Sequence, residues 1–324
     1  MITDKIKIDA FNPDQKIISR AADLIKDGEL VAFPTETVYG LGADALNAEA
    51  VKKIFIAKGR PQDNPLILHV SDIEQVNDLV YTNDIARSLM LNFWPGALTL
   101  VMNAKKIIPL QTRGGLNTAA VRMPDNPIAL ALISRAGIPI AAPSANLSGR
   151  PSPTDAESVY NDMAGKINLI LDGGSTNYGI ESTVIDISDP ENIFLLRAGS
   201  TGIEELEKFL NVKLKIPGAN NLKRSPGTRY RHYAPNIPVY IFDNDSEKIE
   251  RDYKNAGYLG LNEPDENFKE QIIFNDVQNY AHGLFSAFRK LESDGVKFIS
   301  IELPPLSGIG LGLTDRIKRA ANIS

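Results

Sequence analysis

The spacing of the short apolar runs constrains this chain more than any other feature. Several lie too close together for a helical crossover: 183–187 and 193–196 are joined only by Ser188-Asp-Pro-Glu-Asn192. Parallel strands need a connection of about a dozen residues or more, whereas antiparallel neighbours need only a turn. Part of any sheet built from these runs is therefore antiparallel, and a purely doubly wound sheet is not expected.

Helical patterns interleave with the strands. Ile17, Ile18, Ala21, Ala22, Leu24 and Ile25 recur at helical spacing, and Gly28 follows where the helix would stop. Residues 30–33 read as a buried strand running into Pro34. Asn47 is placed to cap a helix through about Ala57, 66–70 reads as the next strand, and Asp72 and Asn83 are expected caps of two further helices. Strands are also expected at 97–102, 118–122, 138–142, 167–171, 183–187 and 193–196, with helices at 128–135, 155–163 and 203–210. The expected fold class is α/β: a twisted mixed parallel and antiparallel sheet with helices.

At 324 residues the chain has room for two domains, each with its own core. The pattern breaks at 213–238, rich in proline, glycine and polar turns, and restarts at Val239. We expect a larger domain at 1–212, a linker or lid at 213–238, and a small Rossmann-like α/β domain at 239–324. In the small domain, strands are expected at 239–242, 257–260, 271–274 and 298–301. A helix there would turn Leu284, Phe285, Phe288 and Leu291 inward, and a terminal helix would begin near Thr314. Between them, the linker segment from Arg224 to Pro235 carries more hydrogen-bond donors than a passive tether needs.

Composition removes several chemistries. Without cysteine there is no disulfide, thiolate nucleophile or cysteine-ligated metal. His69, His232 and His282 are too far apart in sequence for metal-ligand spacing, so any metal would be a hard cation arriving with a phosphate substrate. With 43% hydrophobic and 23% charged residues the chain has an ordinary globular balance. The apolar run at 128–142 is broken by Ser134, Arg135 and Pro139, well short of the ~20 residues of a membrane span. The first residues lack the basic and apolar succession of a secretory signal, so the cytoplasm is the expected location and no membrane partner is expected. A net charge of −5 argues against a general nucleic-acid binder and leaves room for a local basic patch.

Four stretches carry candidate chemistry. Pro34-Thr-Glu-Thr-Val-Tyr-Gly-Leu-Gly-Ala-Asp44 follows a strand, where open α/β sheets present ligand loops. Thr35 and Thr37 offer hydroxyls there, and Gly40 and Gly42 would let backbone approach a ligand; the stretch reads equally as a tight turn. Lys58-Gly-Arg60-Pro-Gln-Asp-Asn64-Pro65 closes a helix. Its cations either complement the helix dipole or give a triphosphate a point charge and a planar fork. Arg122 ends a strand and suits either a surface ion pair or bidentate capture of a carboxylate. Ala142-Pro-Ser144-Ala-Asn146 supplies short donors for phosphate oxygens or a hydrated magnesium ion, and Ser-x-Asn is also a common turn. His69 reads most simply as a core histidine. Neither a P-loop nor a Gly-x-Gly-x-x-Gly fingerprint is present after the first strand.

Six motifs occur in order: Pro34 to Asp44, Lys58-x-Arg60-Pro-x-x-Asn64-Pro-Leu, Trp94-Pro-Gly-x-Leu-Thr99, Thr118-x-x-Val-Arg122-x-Pro, Ala142-Pro-Ser144-Ala-Asn146 and Glu181-Ser-Thr-Val-Ile-Asp186. Together they resemble the YrdC-like threonylcarbamoyl-AMP synthases over about 17–199. The linker and the α/β domain after it resemble the family's long form, which adds a Sua-type C-terminal domain. The resemblance implies condensation of L-threonine, bicarbonate or carbon dioxide, and ATP to threonylcarbamoyl-AMP and pyrophosphate, with Mg2+ accompanying the ATP, for threonylcarbamoyladenosine modification of tRNA. Threonine's amine would attack the carbonate carbon and the carbamate oxygen the α-phosphate, so the protein mainly aligns reactants and stabilises charge.

The same resemblance implies roles for individual residues. Lys58, Arg60, Ser144 and Asn146 would be the catalytic set, holding the triphosphate, with Ser144 and Asn146 nearest the magnesium; no metal held by protein side chains alone is expected. Thr35 or Thr37, His69, Arg122, Ser182 and the backbone at Ala142 would form the threonine pocket, Arg122 taking the carboxylate. Asn64, Thr118, Ser152 and Arg197, with Tyr233 and Asn236 of the linker, would contact ATP. Downstream, a tRNA threonylcarbamoyl transferase machinery would take the product onward, and contact with tRNA is a further implication. Thr228, Arg229, Arg231 and the segment from Gly308 to Arg316 depart from the family's usual pattern. Two other readings use the same residues. The cations would also suit a non-catalytic RNA-binding module. A carbamoyl-transfer enzyme of hydrogenase maturation carries a similar domain, in longer and cysteine-rich chains unlike this one.

Overall fold

The computed structural model describes residues 1–216, 233–242 and 252–323. The first domain contains β1 (Asp4–Lys7), α1 (Gln15–Lys26), β2 (Val31–Phe33), β3 (Gly40–Asp44), α2 (Ala48–Lys58), β4 (Ile67–His69), α3 (Glu74–Leu79), β5 (Val80–Tyr81) and α4 (Asp84–Phe93). It continues with β6 (Leu98–Ala104), β7 (Thr118–Arg122), α5 (Pro127–Ala136), β8 (Ile140–Ala141), α6 (Ala156–Met163), β9 (Leu169–Asp172), β10 (Thr183–Asp186), β11 (Phe194–Arg197) and α7 (Ile203–Leu210). The second domain contains β12 (Val239–Phe242), β13 (Ala256–Gly260), β14 (Glu270–Ile273), α8 (Val277–Ser293), β15 (Phe298–Glu302) and α9 (Ile309–Ala320).

The large sheet is mixed, as the short connections require. Its order is β1-β9-β2-β3-β8-β4-β7-β6-β10-β11, with β5 paired to β6. The pairs β1–β9, β2–β9, β4–β7 and β6–β10 are parallel. The pairs β2–β3, β3–β8, β4–β8, β6–β7 and β10–β11 are antiparallel. Alternate side chains of β2 serve two cores: Val31 and Phe33 pack with Ile18 and Ile25 of α1 and Ile128 of α5, while Ala32 packs with Ile54 and Phe55 of α2. The small sheet is all parallel, in the order β12-β15-β13-β14. Leu284, Phe285, Phe288 and Leu291 of α8 are buried against it, as their helical spacing predicts.

Local chemistry sets the helix ends that matter for the site. The Asn47 side chain accepts hydrogen bonds from the backbone amides of Glu49 and Ala50 and starts α2. Gly59 stops α2 at φ 60°, a left-handed conformation that glycine adopts at little cost, directly after Lys58. Asn83 caps α4 as expected. Asp72 does not cap α3: the capping position belongs to Ile73, and Asp72 only receives the Glu74 amide, at 2.9 Å.

Three expectations change in three dimensions. The stretch from Gly40 to Asp44 is strand β3, not loop, held between β2 and β8. Gly42 is there for packing, because a Cβ would meet the Phe33 ring at 2.7 Å and Ile140 Cγ2 at 2.9 Å. Helix α9 starts at Ile309 and not near Thr314, since Gly310 and Gly312 weaken its sequence signal while letting α9 approach other backbone closely. Near the domain junction, Lys215 still pairs with the first domain: its carbonyl accepts the Leu195 amide at 2.9 Å. The linker cluster from Arg224 to His232 lies outside the described residues.

Candidate functional site

Strand register gathers the motifs into one row. Gly40 of β3 bridges Ser144, which follows β8. On β4 and β7 the pair His69–Arg122 stands side by side. Across β6, Thr99 follows the Leu100–Val121 pair in the antiparallel register, level with Arg122, and bonds Ser182, which leads into β10, at 2.8 Å between hydroxyls. Arg197 closes the row on β11, opposite Val184. The row floors a small cavity, partly open to solvent. Thr35, Thr37, Arg60, His69, Arg122, Ala142, Ser144, Asn146, Ser182, Arg197 and Tyr233 line it. Lys58, Asn64, Thr118, Ser152 and Asn236 are not in its lining.

The hydroxyl network separates Thr35 from Thr37. Thr35 Oγ1 donates to the Val38 carbonyl at 2.6 Å, so its proton is committed to closing the loop. The 2.9 Å contact between the two hydroxyls then has Thr37 as donor. Thr37 Oγ1 also accepts Arg122 Nη1 at 2.9 Å, leaving one lone pair for a ligand. Thr37 is the residue of the two placed to meet a substrate. Ser182 is similarly limited: Arg197 Nη2 donates to its hydroxyl at 3.1 Å and Thr99 takes a second direction, leaving one.

Arg122 is not the open fork that the sequence suggests. Its Nε donates to the Gly96 carbonyl at 3.1 Å, its Nη1 to Thr37, and its Nη2 lies 2.5 Å from Glu36 Oε1. That last contact is close in distance, yet neither Glu36 oxygen receives a well-directed hydrogen bond, and both are buried. We read it as an ion pair of charge and proximity. It fixes the guanidinium at the cavity wall, where an added carboxylate would compete for Nη2 or share it.

Lys58 sits behind the wall. Its ammonium is buried and donates to the carbonyls of Ser144 and Asn146, both at 2.5 Å. Burial, with Arg60 nearby, pushes the amine well below its ordinary value, and the two carbonyls are what hold it as a donor. The arrangement ties the end of α2 to the Ser144-Ala-Asn146 turn. Asn146 Nδ2 extends the tie to the Leu147 and Arg150 carbonyls at 2.9 and 2.7 Å. Arg60 Nη2 donates to the Pro65 carbonyl at 3.2 Å, so the stiff Pro61-to-Pro65 loop aims its guanidinium at the cavity. Asn64, inside that loop, is fully buried and neither atom of its amide has a hydrogen-bond partner. Thr118 lies at the opposite end of β7 from Arg122, on the side where the chain enters β4.

His69 is neutral at physiological pH, because burial first and the Arg122 charge second pull it down to about 3. Its Nδ1 lies 3.2 Å from the Ile67 carbonyl. Ser152 donates to Glu181 Oε1 at 2.5 Å. Asn236 is exposed and its backbone amide reaches Glu292 of α8 at 3.2 Å. Among the described residues no group of three acidic or imidazole side chains could hold a metal ion, and no helix is long and apolar enough to cross a membrane.

Residues 23–199 match the Sua5/YciO/YrdC family model, described as "Telomere recombination", and 201–322 match the C-terminal domain of threonylcarbamoyl-AMP synthase. The chain belongs to this family. A threonylcarbamoyl-AMP synthase of Bacillus subtilis is 43% identical over 97% of this chain and 95% of its own length. One from Pyrococcus abyssi is 44% identical over 93% of each chain. The crystal structure of P. abyssi Sua5 complexed with L-threonine superposes with a TM-score of 0.90 at 41% identity, covering 99% of this chain and 98% of that one. Both domains of the family are therefore present.

Sequence reasoning left three residues at the site without roles. Glu36 and Glu181 stood inside the quoted motifs but carry acidic side chains that no phosphate or carboxylate role would suggest. Arg316 lies in the C-terminal segment, far from every motif, and only the fold brings it to Glu181.

Proposed function

We propose that this chain condenses L-threonine, bicarbonate and ATP to threonylcarbamoyl-AMP and pyrophosphate, in the cytoplasm, supplying a downstream transferase that modifies tRNA. The observation that carries this reading is the single cavity that joins Thr37, Arg122 and Ser182 to Arg60, Ser144 and Asn146, in a chain matching a threonine-bound relative from end to end. The first three suit an amino acid: a guanidinium for the carboxylate, a lone pair of Thr37 for an ammonium, and one open hydroxyl direction on Ser182. A neutral His69 does not repel that ammonium. The second three suit phosphate oxygens, with Lys58 keeping the Ser144-to-Asn146 turn in place from behind.

Magnesium enters this reading as part of the ATP substrate. The donor set agrees, since it offers one hydroxyl and one amide and no acidic cluster, enough to accompany a phosphate-bound hydrated ion and too little to cage one. No protein nucleophile is needed. Proximity does most of the catalysis: holding amine, carbonate and α-phosphate in line converts a three-body encounter into steps within one complex.

The RNA-binding reading asks the cations to face solvent. Lys58, Arg60, Arg122 and Arg197 are all buried, around a cavity and not on a surface that a duplex or tRNA backbone could reach. The test is turnover: protein with MgATP and bicarbonate should release pyrophosphate only when L-threonine is added. Pyrophosphate release that ignores threonine, or none at all, would overturn the proposal.

A further inference from the structure

The second domain reaches into the first through one fully buried side chain. Arg316, on α9, sends Nε to Glu181 Oε2 at 2.8 Å and Nη1 to the Ala198 carbonyl at 2.6 Å, both in the first domain. Its own domain contributes Asp315, whose Oδ2 accepts Nη1 at 3.0 Å. The guanidinium carbon lies 5.3 Å from the centre of the Tyr233 ring, which stacks on Phe285 of α8 at 5.6 Å on another side. Tyr233 holds φ at 68°, rare for a side-chain-bearing residue, and it lines the cavity. Backbone contact reinforces the approach: a Cβ on Gly312 would meet Gly199 Cα at 2.9 Å, and Gly199 in turn packs on the Glu181 and Ser182 backbone.

Glu181 is where these contacts enter the site. Its other oxygen takes the Ser152 hydroxyl, the next residue is Ser182, and both Glu181 and Tyr233 line the cavity. A buried ion pair of this kind adds little net stability over a well-packed apolar pair, so it is poorly explained as a mere clamp between domains. Two other interdomain pairs already provide that. Arg150 meets Glu292 through two bonds of 2.9 and 2.7 Å, and Arg289 meets Asp162 at 3.2 and 2.8 Å.

We propose that Arg316 is a positioning residue of the synthase site: by fixing Glu181 and Tyr233 it sets the affinity for L-threonine and ATP, so the second domain completes the pocket of the first. This rests on the synthase reading above. In the full-length chain, Arg316→Gln is expected to raise KM for threonine and ATP at least about tenfold, with kcat changed by less than about threefold, the pattern of lost binding rather than lost chemistry. Calorimetric titration of L-threonine should show the same weakening without turnover. Arg316→Lys, keeping charge without the fork, should recover part of it. Arg289→Gln removes an interdomain pair that makes no contact with Glu181, its nearest link being the bond from Arg289 Nη2 to the Pro151 carbonyl at 2.7 Å, and should leave both KM values near wild type.

A stability readout separates the variant's charge effect from misfolding. Without Arg316, burial would outweigh what Arg197 and the Ser152 hydroxyl still offer and drive the Glu181 carboxyl up from its ordinary value. The folded state would then hold a proton that the unfolded state releases, and stability would fall as pH rises through that window. The melting temperature of Arg316→Gln should therefore drop further below wild type between pH 5 and pH 8, and adding Glu181→Gln should remove the trend. Unchanged KM values and titrations in Arg316→Gln, or equal losses in Arg289→Gln, would overturn the inference while leaving the synthase reading intact. A wild-type protein that neither binds threonine nor turns over would overturn both.

Discussion

Glu181 leads into β10 of the large sheet, and Glu302 closes β15 of the small one. Each is a carboxylate at a strand end with burial pressing it toward the neutral form, and in each other groups win, leaving the carboxyl below its ordinary value. The groups differ. Glu302 is served wholly within its domain, by the Leu261 and Asn262 amides at 2.8 and 3.0 Å, the Asn262 side chain at 2.6 Å and the Tyr258 hydroxyl at 3.0 Å. Glu181 depends on Arg316 from the other domain, with Arg197 and Ser152 assisting. Glu302 is balanced within its own domain; Glu181 is not, and its dependence on the other domain falls at the cavity. Between these two carboxylates the dependence runs one way, which is the arrangement expected when one domain does chemistry and the other shapes where it happens.

The largest effect should come from Lys58, which is internal to the large domain. Lys58→Ala removes the donor that ties the Ser144 and Asn146 carbonyls to the end of α2. Threonine-dependent pyrophosphate release should fall about 10²–10³-fold, equivalent to roughly 3–4 kcal/mol of transition-state stabilisation. Near-normal turnover would mean the turn holds itself, and the contrast between a poised site and a self-contained carboxylate would lose its catalytic half.

Arg122→Lys is next. A lysine keeps the charge beside Glu36 but cannot reach Gly96, Thr37 and a ligand carboxylate together. We expect KM for L-threonine to rise about 30–100-fold, roughly 2–3 kcal/mol, with a smaller change in kcat. If KM for ATP rose instead, Arg122 would belong to the phosphate half of the cavity.

His69 predicts a pH dependence in the same domain. Its folded-state value of about 3 lies below the ordinary 6.5, so the unfolded chain binds the extra proton. The contribution is complete above pH 6.5 and shrinks as pH falls; between pH 6.5 and 5 the loss is about 2 kcal/mol. Denaturant midpoints at pH 7 and pH 5 should differ accordingly, and His69→Gln should flatten the difference.

How much of this could be read from residues alone varied with what makes each element. Strands β7 and β12 and helix α7 have their expected limits, because an apolar run or a strong helical face is a local signal. Strand β3 was invisible: Gly-Leu-Gly-Ala-Asp has little strand preference, and its extension is imposed by β2 and β8 on either side. The site behaves alike. Motifs marked Thr37, Arg60, Arg122 and Ser144 because the segments holding them are contiguous in sequence. Which threonine meets the ligand depended on where Thr35 sends its proton, a fact of three dimensions. The Glu181–Arg316 pair spans the two domains, and no periodicity or spacing announces it.

The smallest effect tests the other side of the comparison. Glu302→Gln keeps the shape of the side chain and one acceptor, so the Leu261 and Asn262 amides lose only the charge assistance of their bonds. The expected cost is about 1 kcal/mol, read as a modest drop in melting temperature. Because every partner of Glu302 lies in its own domain, KM for L-threonine and ATP should not move. A shift in either would show that the small domain transmits its internal balance to the cavity by a second route besides Arg316, and the one-way dependence would have to be redrawn as a coupling between both sheets.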